Sequence, residues 1–317
     1  MALSGSAPRV VCIGIPVRDL TFRVEAVPAR GSKANATHLA EICGGNALNA
    51  AIAMARLGSR VAFAGPMGDA RETSSDFILA QMAQEGIDTT HIVRMPGLAT
   101  PVSAIMIEPS GERTLTIYRD PGLWRVKLPD ADELLGDCQA VLIESRCGTF
   151  SIDLCTEAQR RGIPIIVGVD RAMSLQDELL AAASHLLFAS EQVQETAGIT
   201  GDGEALKRLS ALTPAFLAAT RGPHGTIWLD EAGALEETPA FPVQAVDTLG
   251  AGDVFHGAFA LCLAEGKGVR EALRFAAAAA ALKCTRHGGG LAAPQRLEVE
   301  EFLREHPWSN STATRRL

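Results

Sequence analysis

The sequence has no run of five or more charges of one sign, and its 37 acidic residues outnumber its 29 basic ones. Nucleic acids and anionic membranes attract clusters of Lys and Arg, so this chain is a poor candidate for binding either. Its most apolar late segment, RFAAAAAALKC, is too short and too rich in alanine to span a bilayer. The N-terminal stretch also lacks the charged and apolar regions of a secretory signal. We therefore expect a cytoplasmic protein.

Paired cysteine motifs are also absent. The seven cysteines are widely separated, none forms a C-x-x-C pair, and no group of His and Cys has the spacing of zinc ligands. An odd number of scattered cysteines indicates reduced thiols, most of them buried, which agrees with the cytoplasm.

Three familiar catalytic or nucleotide-binding motifs are missing as well. Without a G-x-S-x-G segment, the HGGG at residues 287–290 does not indicate a serine hydrolase. The glycine after Gly252 is Gly257, one position too late for a dinucleotide-binding G-x-G-x-x-G fingerprint. This spacing weakens the case for an NAD-dependent dehydrogenase. GKG at residues 266–268 lacks both the earlier glycine and the following Ser or Thr of a P-loop.

Apolar strand-like segments alternate with amphipathic helical segments over much of the chain, and 47% of its 317 residues are hydrophobic. This pattern predicts an α/β fold, with a doubly wound, mainly parallel sheet covered by helices on both faces. Residues 21–42 and 103–120 break the alternation and predict a small β element outside the main sheet. We expect residues 1–317 to form one domain, with a disordered tail at 308–317.

The segment DTLGAGDVFHGAF places Asp253 directly behind Gly250 and Gly252, where a helical pattern begins. Glycines let the backbone approach a ligand closely, and the free N–H groups of a helix start favour an anion such as a phosphoryl group. A carboxylate beside such a pocket can take the proton of an attacking hydroxyl. Ordinary helix capping by Asp253 is the alternative.

A second glycine-rich helix start, GGNALNAA, contains Gly44, Gly45, Asn46 and Asn49. The glycines permit close approach, and the asparagine amides can bind the neighbouring hydroxyls of a sugar. The alternative is a structural helix start with Asn46 as its N-cap.

Taken together, these two segments resemble the signatures of the PfkB/ribokinase family of carbohydrate kinases. TRGPHGTIW, beginning at Thr220, is similar to the nucleotide segment of that family, and the resemblance covers almost the whole chain. It implies a ribokinase-like fold with a small β-sheet lid formed by residues 16–43 and 98–121. It also implies ATP and Mg²⁺ as cofactors, with K⁺ as a further candidate, and a homodimer formed through the lid.

The resemblance further implies roles for individual residues. Asp253 would be the catalytic base, beside an anion hole formed by Gly250, Ala251 and Gly252. The sugar would be bound by Asp19, Gly44, Gly45, Asn46 and Asn49, and the ATP phosphates by Thr220, Arg221, Gly222 and Gly225. Where the family has an N-x-x-E element linked to Mg²⁺, this chain has SEQVQE, so Glu191 is the candidate metal ligand and a solvated helix start is the alternative.

Local similarities within the family bear on the substrate. DVFHGAFA and ALKCTRHGG resemble sulfofructose kinases most, with ketohexokinases and fructokinases next. Lys33 and Arg146 fall where sulfofructose kinases place groups that bind the sulfonate, although a surface lysine and a structural salt bridge are the alternatives. Ile117 replaces a polar amide of those kinases.

We therefore expect an ATP-dependent kinase that acts on a primary hydroxyl of a fructose-like ketose, with sulfofructose or another anionic ketose among the candidates. A kinase for ribose, 2-keto-3-deoxygluconate or a nucleoside is an alternative within the family. A non-catalytic regulator that binds sugar or nucleotide is an alternative from a different class.

Overall fold

The computed structural model describes residues 6–307, so the predicted disordered tail lies outside the described residues. The strands are, in chain order, β1 (Arg9–Ile13), β2 (Val17–Arg23), β3 (His38–Gly44), β4 (Arg60–Met67), β5 (Ile92–Arg94), β6 (Val102–Ile107), β7 (Arg113–Tyr118), β8 (Ala140–Glu144), β9 (Ile165–Val169), β10 (His185–Ala189), β11 (Phe216–Thr220), β12 (Thr226–Leu229) and β13 (Leu235–Thr238). The helices are α1 (Asn46–Arg56), α2 (Thr73–Gln84), α3 (Ala131–Leu135), α4 (Gly148–Arg160), α5 (Glu178–Ala182), α6 (Ser190–Ala197), α7 (Asp202–Ser210), α8 (Ala251–Ala264), α9 (Val269–Cys284) and α10 (Arg296–Glu305).

Nine strands form one sheet in the order β13-β12-β11-β10-β9-β8-β1-β4-β5. The strands from β11 to β5 pair in parallel, whereas β12 and β13 add an antiparallel edge. The predicted fold class is confirmed. Because parallel strands all end at the same edge of the sheet, residues that follow different strands are brought together there.

The large sheet is buried on both faces, which explains the nearly continuous apolar runs of its strands. In β1, Val10 and Cys12 belong to the core cluster that includes α1, α8 and α9. Val11 and Ile13 belong to a second core cluster on the opposite face of the sheet. Side chains alternate between faces along a strand, so β1 contributes to both cores.

A smaller sheet of four strands has the order β3-β2-β6-β7. Its register places Asp19, Ile42, Ser103 and Ile117 on one face, because paired residues of neighbouring strands share a face. Asp19 and Ser103 on this face are buried, whereas β3 and β7 are largely exposed. The sheet thus has an inner face and an outer face.

The described helices include none whose length and apolar character would let it cross a bilayer.

Candidate active site

Asp253 lies in the first turn of α8, behind a glycine with a left-handed backbone. Gly250 is the N-cap of this helix and has a φ of 77°, a value that favours glycine. The Asp253 carboxylate accepts a hydrogen bond of 2.8 Å from the Asn49 amide Nδ2, and the Asn49 Oδ1 accepts one of 3.1 Å from the Gly290 N–H. The amide of Asn49 therefore links Asp253, the candidate base, to the loop that contains Gly290.

Burial raises the pKa of Asp253 to about 7, and the neighbouring carboxylates of Asp170 and Glu144 add to the rise. The hydrogen bond from Asn49 and the charge of Arg113 act in the opposite direction. A carboxyl group whose pKa lies near neutral pH is well matched to taking a proton in a reaction, since a large fraction of it is ionised at that pH and the ionised form is basic enough to hold the proton.

The start of α8 also carries unused hydrogen-bond donors. The Ala251 N–H donates to the Thr248 carbonyl at 3.2 Å, whereas the N–H groups of Gly252 and Asp253 find no acceptor among the described residues. A Cβ atom on Gly252 would meet nothing within 4 Å, so this part of the turn faces open space. Two free amides at the positive end of a helix dipole suit a phosphoryl group.

Two of the three predicted anion-hole residues and three of the four predicted nucleotide residues line one cavity, whereas Gly250 is not part of its wall. Ala251 and Gly252 lie at one part of this space of about 620 Å³, and Thr220, Gly222 and Gly225 line another part. Most of the remaining wall is apolar and lacks charged side chains, as suits a planar aromatic base: Pro223, Ala240, Phe241, Pro242, Val243, Ala245, Phe255, Ala277, Ala280 and Ala281.

Arg221, which was predicted with this nucleotide group, lines an adjacent cavity of about 530 Å³ instead. Its guanidinium donates to the His224 carbonyl and to the Glu237 carboxylate. Thr220 and Gly222 line both cavities, so the two spaces adjoin there.

Glu191 lines the second cavity and is exposed in the first turn of α6. The described part of the chain holds no group of three His, Cys, Asp or Glu side chains that could bind a metal ion. Magnesium that is carried by nucleotide phosphates keeps several waters and needs only one or two carboxylates, so Glu191 fits that limited role.

Asp19 is buried on the inner face of the small sheet, where the Ser103 hydroxyl donates to it. Burial raises its pKa to about 6, while Ser103 and the charge of Arg119 oppose the rise. Gly44 leaves room for this carboxylate, since a Cβ atom at residue 44 would lie 1.9 Å from the Asp19 Oδ2. Glycine is therefore needed at residue 44 because any side chain there would collide with Asp19, the residue predicted to bind the sugar.

The α1 helix does not begin with Asn46 as its N-cap, which was the structural alternative given for the GGNALNAA segment. Gly45 is the N-cap, with a φ of 97°, and Asn46 is the first helical residue. A Cβ atom at residue 45 would lie 2.6 Å from the Ile15 carbonyl oxygen, so the close passage of the chain requires glycine there. An N-cap role for Asn46 is therefore wrong.

Lys33 and Arg146, the two predicted anion-binding cations, have different surroundings. Arg146 follows β8, and its guanidinium lies 3.0 Å from the Asp170 carboxylate and 3.8 Å from that of Glu144. Lys33 is exposed in the loop between β2 and β3, and the ion pairs found within residues 6–307 do not include it. The charge of Arg146 is thus balanced by two acids of this chain.

Glu144 is a buried acid beside the candidate site that the sequence did not single out. It ends β8, is 4% exposed, and its Oε2 has no hydrogen-bond partner among the described residues. Burial raises its pKa to about 7, the charge of Asp170 adds to this, and the charges of Arg119 and Arg146 oppose it. A Glu that ends an apolar run, as in AVLIE, was the available signal.

Asp170, Arg119 and Arg113 were missed as well. Asp170 follows β9 and accepts a hydrogen bond of 2.9 Å from the Ser145 hydroxyl. Arg113 of the small sheet donates to the Thr248 hydroxyl at 2.8 Å, next to the start of α8. Charged ends of strands are the common signal, although only the fold shows which ones meet.

The chain matches the family model described as "pfkB family carbohydrate kinase" over residues 7–296. A ribokinase of Bacillus subtilis is 31% identical over 300 residues, which cover 93% of this chain and 99% of that protein. A ketohexokinase of Mus musculus is 28% identical over 88% of this chain and 97% of its own length.

Solved structures agree with this match. The crystal structure of an Agrobacterium tumefaciens protein assigned as a ribokinase superposes with a TM-score of 0.90 at 34% identity, covering 95% of this chain and 99% of that one. A fructokinase with bound ATP from Xylella fastidiosa has a TM-score of 0.79 at 23% identity, covering 94% and 98%, and shows the same fold. The chain is therefore a carbohydrate kinase of the pfkB family, with a ribokinase-like fold.

Proposed function

We propose that the protein transfers the γ-phosphoryl group of ATP to a primary hydroxyl of a neutral sugar, either ribose or a fructose-like ketose. The observation that carries the proposal is the position of the α8 start. Asp253 accepts a hydrogen bond from Asn49. Ala251 and Gly252 line the same apolar cavity as Thr220 and Gly222. A proton acceptor and a nucleotide-sized space thus meet at one helix end.

In the proposed reaction, Asp253 takes the proton from the sugar hydroxyl as its oxygen attacks the γ-phosphorus, and ADP leaves. The free amides of Gly252 and Asp253 stabilise the charge on the transferred group. Asn49 holds the Asp253 carboxylate in place, and one N–H of its amide remains for a sugar hydroxyl. Magnesium bound with ATP supplies charge neutralisation at the phosphates.

A neutral sugar is favoured by the charges around the inner face of the small sheet. Asp19 and Glu144 offer carboxylate acceptors for hydroxyl groups, and both are buried. The charge of Arg146 is balanced by the nearby carboxylates of Asp170 and Glu144, so Arg146 attracts an anionic sugar less strongly than an unpaired cation would. Ile117, on the same face as Asp19, offers no hydrogen bond.

The test is ADP release by the purified protein with ATP, Mg²⁺ and a panel of ribose, fructose, fructose 6-phosphate and sulfofructose. We expect the highest kcat/KM with ribose or fructose. A preference for an anionic sugar that disappears in Lys33→Ala would contradict the neutral-sugar proposal. Binding of sugar and ATP without ADP release would instead favour the non-catalytic regulator.

The outer face of the small sheet supports a homodimer formed through the lid. The register places Phe22, Leu39 and Met106 in one row on this face, Leu20 in the next row and Tyr118 in the row beyond it. Leu39 is 53% exposed and Tyr118 is 57% exposed. An exposed apolar sheet face of this kind is typical of an interface, and sedimentation of the protein would measure its assembly.

A further inference from the structure

Lys283 is a buried cation near the end of α9 to which the proposed reaction gives no role. Its side chain is fully buried, in a helix whose preceding turns are almost entirely alanine. Its ammonium donates to the Asp247 carbonyl at 2.8 Å and lies 3.5 Å from the Asp247 Oδ2. Burial lowers the pKa of Lys283, and the charge of Asp247 opposes this shift. A buried charge is costly unless it is paired, so this pair needs an explanation.

Asp247, the partner of Lys283, organises the segment from which the α8 helix starts. It is 5% exposed, and its Oδ1 accepts a hydrogen bond of 2.8 Å from the Leu249 N–H. Its Oδ2 accepts one of 3.1 Å from the Gly288 N–H. One carboxylate therefore joins the turn before Gly250 to the loop that begins at Gly288.

Both of these connected segments end at the reacting groups. The turn leads through Gly250 to the free amides of Gly252 and Asp253. The loop leads to Gly290, whose N–H holds the Asn49 amide that in turn holds the Asp253 carboxylate. The two segments also touch, since a Cβ atom on Gly250 would lie 3.4 Å from the Gly290 nitrogen.

We propose that Lys283 is a positioning residue for phosphoryl transfer, a built-in cation that neutralises Asp247 and thereby fixes both the anion hole and the base. The inference rests on the proposed function. Without the ammonium, the buried Asp247 carboxylate would keep its two backbone N–H donors and the imidazole of His287, whose Nδ1 lies 4.0 Å from Oδ2. It would lose its buried cation, and the turn would relax toward solvent or another cation. Small displacements of aligned groups cost catalysis rather than binding, so the effect should appear in kcat.

The test compares Lys283→Ala and Lys283→Met with a surface control, Lys207→Ala, whose charge pairs with Glu204 on the exposed face of α7. At saturating ATP and sugar, we expect Lys283→Ala to lower kcat by about 10- to 100-fold with little change in either KM. Ammonium or K⁺ should restore part of this loss, because the vacated space keeps the carboxylate and carbonyl oxygens of Asp247. The same salts should change neither the wild type nor Lys207→Ala.

Lys283→Met should lose as much kcat as Lys283→Ala without rescue, since its side chain fills the space that a cation would enter. It also preserves packing, so it carries the kcat measurement if the alanine variant does not fold. A kcat within about twofold of wild type in the folded variants would overturn the proposal. So would a loss in Lys283→Ala that neither salt restores, or an equal stimulation of the wild type. Absence of turnover in the wild type would instead contradict the proposed function and remove this inference with it.

Discussion

The two glycine-rich helix starts have the same local build but different surroundings. Gly45 before α1 and Gly250 before α8 are both N-caps with positive φ, and neither helix start has a side-chain cap. Around α1 the space is filled, since Cβ atoms on Gly44 and Gly45 would collide with Asp19 and the Ile15 carbonyl. At α8, Gly252 faces open space.

This difference teaches that a glycine can serve a site in two ways. At α1 the missing side chains let a carboxylate of the small sheet and the connection between β1 and β2 pack closely. At α8 the missing side chain leaves the backbone amides accessible to a ligand. We therefore propose that the closed start holds the sugar and that the open start transfers the phosphoryl group.

The largest expected effect on the closed side comes from Gly44→Ala. The added methyl group would occupy the position of the Asp19 carboxylate, so we expect sugar kcat/KM to fall by about 100-fold while the KM for ATP stays near that of wild type. Gly268→Ala is a matched control, since this N-cap has a φ of −71° and open space around it. Equal sugar kinetics in the two variants would break the assignment of α1.

Glu144→Gln tests the carboxylates that lie near both helix starts. Loss of a charged acceptor should lower sugar kcat/KM by about tenfold, as for one hydrogen bond to a charged group. The folded protein raises the pKa of Glu144 from 4.5 to about 7, so it binds the proton more tightly than the unfolded chain does. Its ionisation therefore costs stability increasingly from about pH 4.5 to 7, and this cost is fully present above pH 7.

Removing the charge should accordingly raise the free energy of unfolding at pH 8 by about 1–3 kcal/mol, and by less at pH 5, as measured by urea unfolding. Glu157→Gln is the control with the opposite sign, because hydrogen bonds from Arg160 and Arg161 lower the pKa of this partly buried carboxyl to about 2. No stabilisation of Glu144→Gln at pH 8 would show that Glu144 is not a strained acid of the site.

The smallest effect is expected on the open side, from Gly252→Ala. Its Cβ meets no atom of the protein, and alanine is the better helix former, so the melting temperature should stay the same or rise slightly. The methyl group would crowd a bound phosphate, and the KM for ATP should rise by about fivefold, an overpacking cost of about 1 kcal/mol. A raised sugar KM with an unchanged ATP KM would reverse the roles of the two helix starts.

The sequence predicted the features that depend on local pattern. Apolar strands such as AVLIE and IIVGV predicted the parallel sheet, and the glycines of GGN and GAGD marked both helix starts. The broken rhythm of the intervening segments predicted the small sheet. These features could be predicted because the backbone geometry of a turn and the burial of a strand depend mainly on residues that are neighbours in the sequence.

Features that depend on distant contacts were not predictable in the same way. Glu144 and Lys283 each interrupt an apolar run, but only the fold brings them near Asp170 and Asp247. Arg146 was expected to bind an anionic group of the substrate, yet it pairs with Glu144 and Asp170 at the ends of two neighbouring strands. The double hydrogen bonding of Asn49 likewise joins α8 and the Gly290 loop, more than 200 residues along the chain.

The most direct test of the account is the turnover of Asp253→Asn with saturating ATP and the best sugar of the panel. The change keeps the shape of the side chain but removes the proton acceptor, so we predict that kcat falls by about 10²- to 10⁴-fold while ATP still binds. Asp76→Asn makes the same change in the first turn of α2, where the side chain is 71% exposed, and should leave kcat unaltered. A kcat of Asp253→Asn close to that of Asp76→Asn would contradict the assignment of the α8 start as the site of transfer.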